Sequence, residues 1–269
     1  MRLKDKTAII IGAGQAPGAS EAIGNGRATA LLFAREGAKI FCVDRNLDSA
    51  QKTASLVGDE GGEAFAAAAD VTDEDAISAA IKNCADKWGR IDILHNNVGI
   101  SVEGGDAPLG DVTTKAFERI MDVNLLGTML TCKHVLPIMR AQRGGAIVNI
   151  SSASSYWTGH PTVLYPASKM AMVSFTRQLA IQNADCGVRA NSILPGLMDT
   201  PMAVDRRVEA LGRTREDIAA ERDSRVPLLG KMGTGWDVAH AALFLASDDA
   251  NFITGIEMPV DGGSLARVG

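Results

Sequence analysis

Short apolar runs recur along this chain, and the stretches between them have the period of helices. The runs cover residues 6–11, 39–43, 91–95, 146–150, 189–194 and 257–260, with a further one ending at Ala69. Each is too short for an ordinary helix, and each is closed by Gly, Asp, Asn, Ser or Pro. The helices between them are expected over 47–58, 74–88, 117–140 and 165–185, with one more starting near Gly24. Strands alternating with helices build a parallel sheet with crossovers on both faces, so the expected fold is α/β and doubly wound. No repeat, low-complexity tract or linker divides residues 1–269, which read as one domain.

The first strand runs into Gly12-Ala-Gly14, a turn of the kind in which backbone N–H groups and a helix N-terminus face a phosphate. The ordinary spacing is broken, because Gly24-Asn25-Gly26 comes only after an intervening segment containing Pro17 and Gly18. Those two residues oppose a continuous helix, so 15–22 reads as an insertion within the turn. Asp44 supports this reading. It closes the second strand 18 residues beyond Gly26 but 32 beyond Gly12. An acidic residue about 20 positions past such a turn accepts hydrogen bonds from an adenosine ribose. A carboxylate there favours NAD over NADP, whose 2′-phosphate it repels, although Arg45 follows directly.

Tyr165 and Lys169 stand four residues apart, on one face of the expected helix. A phenol is a poor acid or base at neutral pH, and a neighbouring cation favours its ionised form. Ser152, from the end of the preceding strand, could hold a carbinol or carbonyl oxygen against that phenol. Such a site moves a proton at a C–O group and leaves the hydride to another agent. Taken alone, the pair is more simply a core aromatic beside a solvated lysine.

Composition narrows the field. The chain is 46% hydrophobic with 28 Gly and 9 Pro, as expected of a soluble protein with a large core. A net charge of −5 gives no basic surface for nucleic acid or acidic lipid. No apolar stretch is long enough to span a membrane, and the N-terminal run is too short for a signal peptide. Cys42, Cys84, Cys132 and Cys186 are scattered and the four histidines are unclustered. They suggest buried thiols in a reducing cytoplasm and no metal site.

Together these residues resemble the short-chain dehydrogenase/reductase family over nearly the whole chain. The specific pieces are Gly12 with Gly24-Asn25-Gly26, Asp44, Asp70-Val71, Asn96-Asn97-Val98-Gly99 and Asn124. Ser152, Tyr165-x-x-x-Lys169, Pro195-Gly196 with Thr200, and Val260-Asp-Gly-Gly263 complete the set. The resemblance implies a Rossmann-type sheet and a nicotinamide cofactor, with Tyr165 as general acid/base and Ser152 bonding the substrate oxygen. It further implies that Lys169 lowers the tyrosine pKa and binds the nicotinamide ribose, while Asn124 holds a water linking Lys169 to solvent. Asp70 is expected near the adenine and Thr200 near the carboxamide, with Val71, Asn97, Gly99, Pro195 and Gly196 along the cofactor. Two positions depart from the family pattern, Ile11 in place of Thr and Val98 in place of Ala. The insertion also brings Glu21 close to the expected pyrophosphate.

The segment from about 197 to 230 is expected to cover the substrate, with Leu197, Met198, Met202, Ala203 and Val204 followed by a charged helix over 208–222. Those side chains either suit a hydrophobic alcohol or ketone or merely pack the segment down. Trp157 and His160 are candidates for the pocket wall. The leading expectation is a NAD-dependent oxidoreductase acting on a secondary alcohol or ketone. The alternatives are an NADPH-dependent 3-oxoacyl thioester reductase, a sugar dehydrogenase, and a non-catalytic dinucleotide-binding scaffold. By resemblance the chain forms a homo-oligomer, usually a tetramer, with residues 239–246 and 256–260 as candidate contacts.

Overall fold

The protein is described by a computed structural model covering residues 1–15 and 21–267. Its centre is a seven-stranded parallel sheet. The chain lays down β1 (Thr7–Ile11), β2 (Lys39–Asp44), β3 (Ala64–Ala68), β4 (Ile93–Asn96), β5 (Gly145–Ile150) and β6 (Val188–Pro195). Two short strands, β7 (Met198–Asp199) and β8 (Gly233–Thr234), pair with each other, and β9 (Glu257–Val260) completes the main sheet. The order is β3-β2-β1-β4-β5-β6-β9, so the winding reverses between β1 and β4.

Strand β1 shows why the runs are apolar throughout and do not alternate with polar residues. Ala8 and Ile10 face one layer of core while Ile9 and Ile11 face the other. The first layer is covered by α1 (Asn25–Arg35), α2 (Leu47–Asp59) and α9 (Gly235–Ala246). The second is covered by α3 (Glu74–Trp88), α4 (Thr114–Met121), α5 (Gly127–Gln142) and α6 (Leu164–Gln182). Each fully buried isoleucine contributes roughly 2 kcal/mol of transfer free energy. Local signals set the ends: the Asp73 side chain accepts from the Ala76 N–H at the start of α3, and Gly89 ends that helix at φ 73°.

Three expectations need correction. The helix expected over 117–140 is α4 and α5 joined by a π-helical turn, Asp122–Leu126, which widens the helix at Asn124. The charged helix expected over 208–222 is divided at Gly212 (φ 62°) into α7 (Arg206–Leu211) and α8 (Arg215–Asp223). The run 239–246 is not a free contact surface, because Ala239, Ala242, Leu243, Leu245 and Ala246 are buried in the first core layer. Of the two roles weighed for 197–204, Met198 and Val204 take the packing one, Met198 in the first core layer and Val204 in a smaller cluster with Leu197. No helix among the described residues is long and apolar enough to cross a membrane. Cys42, Cys84 and Cys132 are buried, and desolvation raises each thiol to about 12.

Candidate active site

The residues singled out from sequence gather where the strands end. Gly12 follows β1, Asp44 closes β2, Asp70 lies just past β3, Asn97 follows β4, Ser152 lies just past β5, and Pro195-Gly196 ends β6. Carboxyl ends of strands at the point where the winding reverses form the crevice in which open α/β sheets bind ligands.

At the glycine turn, Gly12 has φ 80° and α1 begins hard against it. A Cβ on Gly26 would stand 2.0 Å from the Gly12 carbonyl oxygen, so only glycine permits this approach. Asn97 Nδ2 donates to that same carbonyl at 3.1 Å and ties β4 to the turn. Asn96 instead points inward, donating to Asn149 Oδ1 at 2.9 Å and accepting from Thr131 at 2.8 Å. Asp44 Oδ2 accepts from the Gly14 N–H and Oδ1 from the Asn46 N–H, both at 3.0 Å, which fixes the carboxylate and leaves it lone pairs. Asp70 accepts twice from Thr72, and Arg119 and Arg45 add positive charge, so its carboxyl is held below the ordinary value against the cost of burial.

Residues 16–20 of the insertion lie outside the described residues. Its base is closed by Gln15, whose side chain accepts from the Gly24 N–H at 2.9 Å and donates to the Ala22 carbonyl at 3.2 Å. The Gly24 N–H is therefore taken by the Gln15 side chain. Asn25 Oδ1, at the start of α1, is buried without a hydrogen-bond partner.

Across the crevice, the Ser152 hydroxyl lies near the Tyr165 phenol and acts to lower its pKa. It also accepts from the Ser154 N–H at 3.1 Å and hydroxyl at 2.9 Å. Lys169 is 2% exposed, and its Nζ donates to the carbonyls of Ile150 at 2.9 Å and Val98 at 3.4 Å. Burial lowers its ammonium from 10.5 to about 7. Desolvation is the largest influence on the phenol and raises it above 10, while Ser152 pulls the other way. Lys169 Nζ faces two carbonyls and lies 5.7 Å from the centroid of the Tyr165 ring.

Asn124 is fully buried, and its amide is engaged on both sides. Oδ1 accepts from the Ile100 N–H at 2.7 Å, while Nδ2 donates to the Ile100 carbonyl and the Ser168 hydroxyl, each at 2.9 Å. The side chain thus braces the segment after Gly99, where a Cβ would meet Lys169 Nζ at 2.9 Å. Thr200 accepts from the Ala203 N–H at 3.3 Å and starts a second π-helical turn, Pro201–Asp205.

Sequence reasoning passed over Asp106. From the loop after β4 it accepts from the backbone N–H groups of Leu164 at 2.9 Å and Tyr165 at 3.0 Å, and from the Thr162 hydroxyl at 2.6 Å. The N-cap of α6 is Val163, which has no side-chain acceptor, and Asp106 supplies it from 58 residues away. A lone Asp in a glycine-rich loop carries no local sign of that task.

The comparisons with known proteins agree with this geometry. A family profile described as enoyl-(acyl carrier protein) reductase matches residues 18–264. A Burkholderia xenovorans crystal structure described as a short-chain dehydrogenase/reductase superposes with TM-score 0.89 at 40% identity, covering 100% of this chain and 99% of the other. This chain belongs to the short-chain dehydrogenase/reductase family. Two further members are similar over nearly their whole length. The 3-oxoacyl-[acyl-carrier-protein] reductase FabG of Thermotoga maritima is 37% identical, over 98% of this chain and 99% of its own. The crystal structure of levodione reductase has TM-score 0.91 at 32% identity, covering 99% and 100% of the two chains. As a member of the short-chain dehydrogenase/reductase family, the chain is an oxidoreductase that uses a nicotinamide dinucleotide.

Proposed function

We propose that the protein is a NAD-dependent oxidoreductase that transfers a hydride between the nicotinamide and a secondary alcohol or ketone. The observation that carries this reading is the convergence of Ser152, Tyr165 and Lys169 on the crevice that Asp44 closes at its other end. The residues present fit a dinucleotide. Gly26 lets α1 close against the Gly12 carbonyl, Asn25 Oδ1 lacks a hydrogen-bond partner among the described residues, and Asp44 keeps lone pairs for ribose hydroxyls. Gly24, Asp70, Val71, Asn97, Gly99, Pro195, Gly196 and Thr200 border the same groove.

The bound cofactor supplies the hydride. Tyr165 exchanges a proton with the carbinol oxygen, which the Ser152 hydroxyl holds in place. At rest the phenol keeps its proton, so it is ready to donate to a ketone, and oxidation of an alcohol requires it first to ionise. Lys169, fixed by Ile150 and Val98, lies in position to meet the nicotinamide ribose and to assist that ionisation. Asn124 keeps the Gly99–Ile100 segment in place. The chain acts as one domain, with 197–230 over the substrate. We place it in the cytoplasm as a homo-oligomer, a tetramer by family expectation.

A second reading, an NADPH-dependent 3-oxoacyl thioester reductase, is favoured by the likeness to FabG. Titration with NADH and NADPH followed by fluorescence separates the two. Tighter NADH binding supports the first reading, and preference for NADPH, with turnover of a 3-oxoacyl thioester, supports the second.

A further inference from the structure

Beside the catalytic residues lies a cavity of about 220 Å³, walled by Trp157 and His160 from the loop between Ser152 and Tyr165, by Leu197, and by Arg225, Ser264 and Arg267. It has two arginines in its wall and no carboxylate. The segment 197–230 is rich in arginine, and most of these side chains are matched. Arg206 pairs with Glu103, Arg213 with Glu221, and Arg215 with Asp199 and Asp205. Arg222 is buried and donates to the Met198 carbonyl. Arg207, Arg225 and Arg267 are different. Among the described residues none of the three has a carboxylate within ion-pair distance; Arg207 donates only to the Ala203 carbonyl.

These charges also feel one another and the active site. Burial is the largest influence on Arg222 and Arg207 and lowers both; Arg207 and Arg225 lower Arg222 further while Asp199 and Asp223 oppose them, and Arg225 lowers Arg207 while the Tyr165 phenol and Glu103 raise it. Glu103 and Glu221 lie within the same field but are committed to Arg206 and Arg213. Arg225 and Arg267 share the cavity wall with no carboxylate in that wall, and an anion entering there meets both guanidinium groups. A chain of net charge −5 has no general surplus of cations to explain such a cluster.

We propose that the cavity is the acid-binding part of the substrate site, and that the substrate is a small hydroxy acid or oxo acid whose carboxylate meets Arg225 and Arg267. This rests on the oxidoreductase reading above and names its substrate class. The planar guanidinium fork suits a carboxylate. The cavity's size suits a short acid, and its walls set the two arginines beside the apolar surfaces of Trp157, Pro161 and Leu197.

The test compares short hydroxy acids with matching secondary alcohols that lack the carboxylate, using the purified protein with NAD. It is run on wild type, Arg225→Gln and the double variant Arg225→Gln/Arg267→Gln. We expect wild type to prefer the acids in kcat/KM by roughly 10–100-fold. Arg225→Gln raises KM for the acids with kcat nearly kept, and the double variant brings the acid-to-alcohol ratio close to one. Equal use of acids and alcohols by wild type, or a ratio unmoved in the double variant, overturns the proposal. Calorimetric titration with glutarate, which has no carbinol, gives a readout independent of turnover. Glutarate binding that weakens in Arg225→Gln while neither substrate set reacts keeps the acid site and sinks the alcohol-oxidising reading. Absence of glutarate binding in wild type, together with turnover of the alcohols alone, does the reverse.

Discussion

At the scale of single residues, the site depends on two groups held away from their ordinary protonation. The chain has only two tyrosines, Tyr156 and Tyr165, and both phenols are raised, Tyr165 by burial and Tyr156 first by its bond to Glu257. An absorbance titration of the cofactor-free protein should therefore show both ionising above 10, and Tyr165→Phe should remove one of the two transitions. The same variant should lose turnover by at least ~100-fold while NADH binding stays within about twofold of wild type. His95 offers a second residue-scale test. It is fully buried, neither ring nitrogen has a partner, and burial lowers it from 6.5 to about 3. A depressed histidine disfavours the protonated folded state, so its contribution to stability is complete above 6.5 and is lost as pH falls toward 3. Denaturant melts of His95→Leu beside wild type should show a shallower acid decline in the variant. The motif residues were legible because their chemistry needs particular side chains at particular spacings. The protonation of Tyr165 was not, since it depends first on how deeply the phenol is buried, and spacing along a helix fixes only the face.

Elements show what close approach demands. At the cofactor turn, Gly26 and Gly24 look alike in sequence but are opposite in structure. A Cβ on Gly24 would meet nothing closer than Gln15 Oε1 at 3.7 Å, whereas one on Gly26 would collide with Gly12 at 2.0 Å. We predict that Gly26→Ala lowers NADH affinity at least ~10-fold through displacement of α1 or the turn, while Gly24→Ala keeps it nearly intact. Fluorescence titration of both variants decides it. The start of α6 gives a matching case. Asp106→Ala strips the first turn of its acceptor and should cost about 2 kcal/mol in a denaturant melt, with kcat reduced because Tyr165 sits in that turn. Both features join residues distant in sequence. That is why the strands and helices themselves could be read from their periods, whereas Asp106, Gln15 and the π-helical turn at Asn124 could not. A π turn leaves the apolar period almost unchanged, so 117–140 read as one helix.

On the scale of the whole molecule, the hydrophobic interior is in three parts. The two layers flanking the sheet contain most of it, and Leu197, Val204, Ile218, Val226 and Met232 form a small separate cluster beneath the segment assigned to the substrate. Few buried contacts imply low local stability. Hydrogen exchange should therefore be faster across 197–232 than in β1, β4, β5 and β6, and should slow when cofactor and substrate are both present. Uniform protection across the chain would contradict this. The sheet was legible because burial on both faces writes an unbroken apolar signature into every strand. The separate cluster was not, because the same apolar residues can line a pocket or fill a core, and only packing decides which. This division has a consequence for descent. Apart from Met198, which belongs to the first core layer, and Thr200, assigned to the cofactor, substitutions between 197 and 232 fall on a cluster of their own, so lineages can exchange one substrate for another there while inheriting the dinucleotide groove.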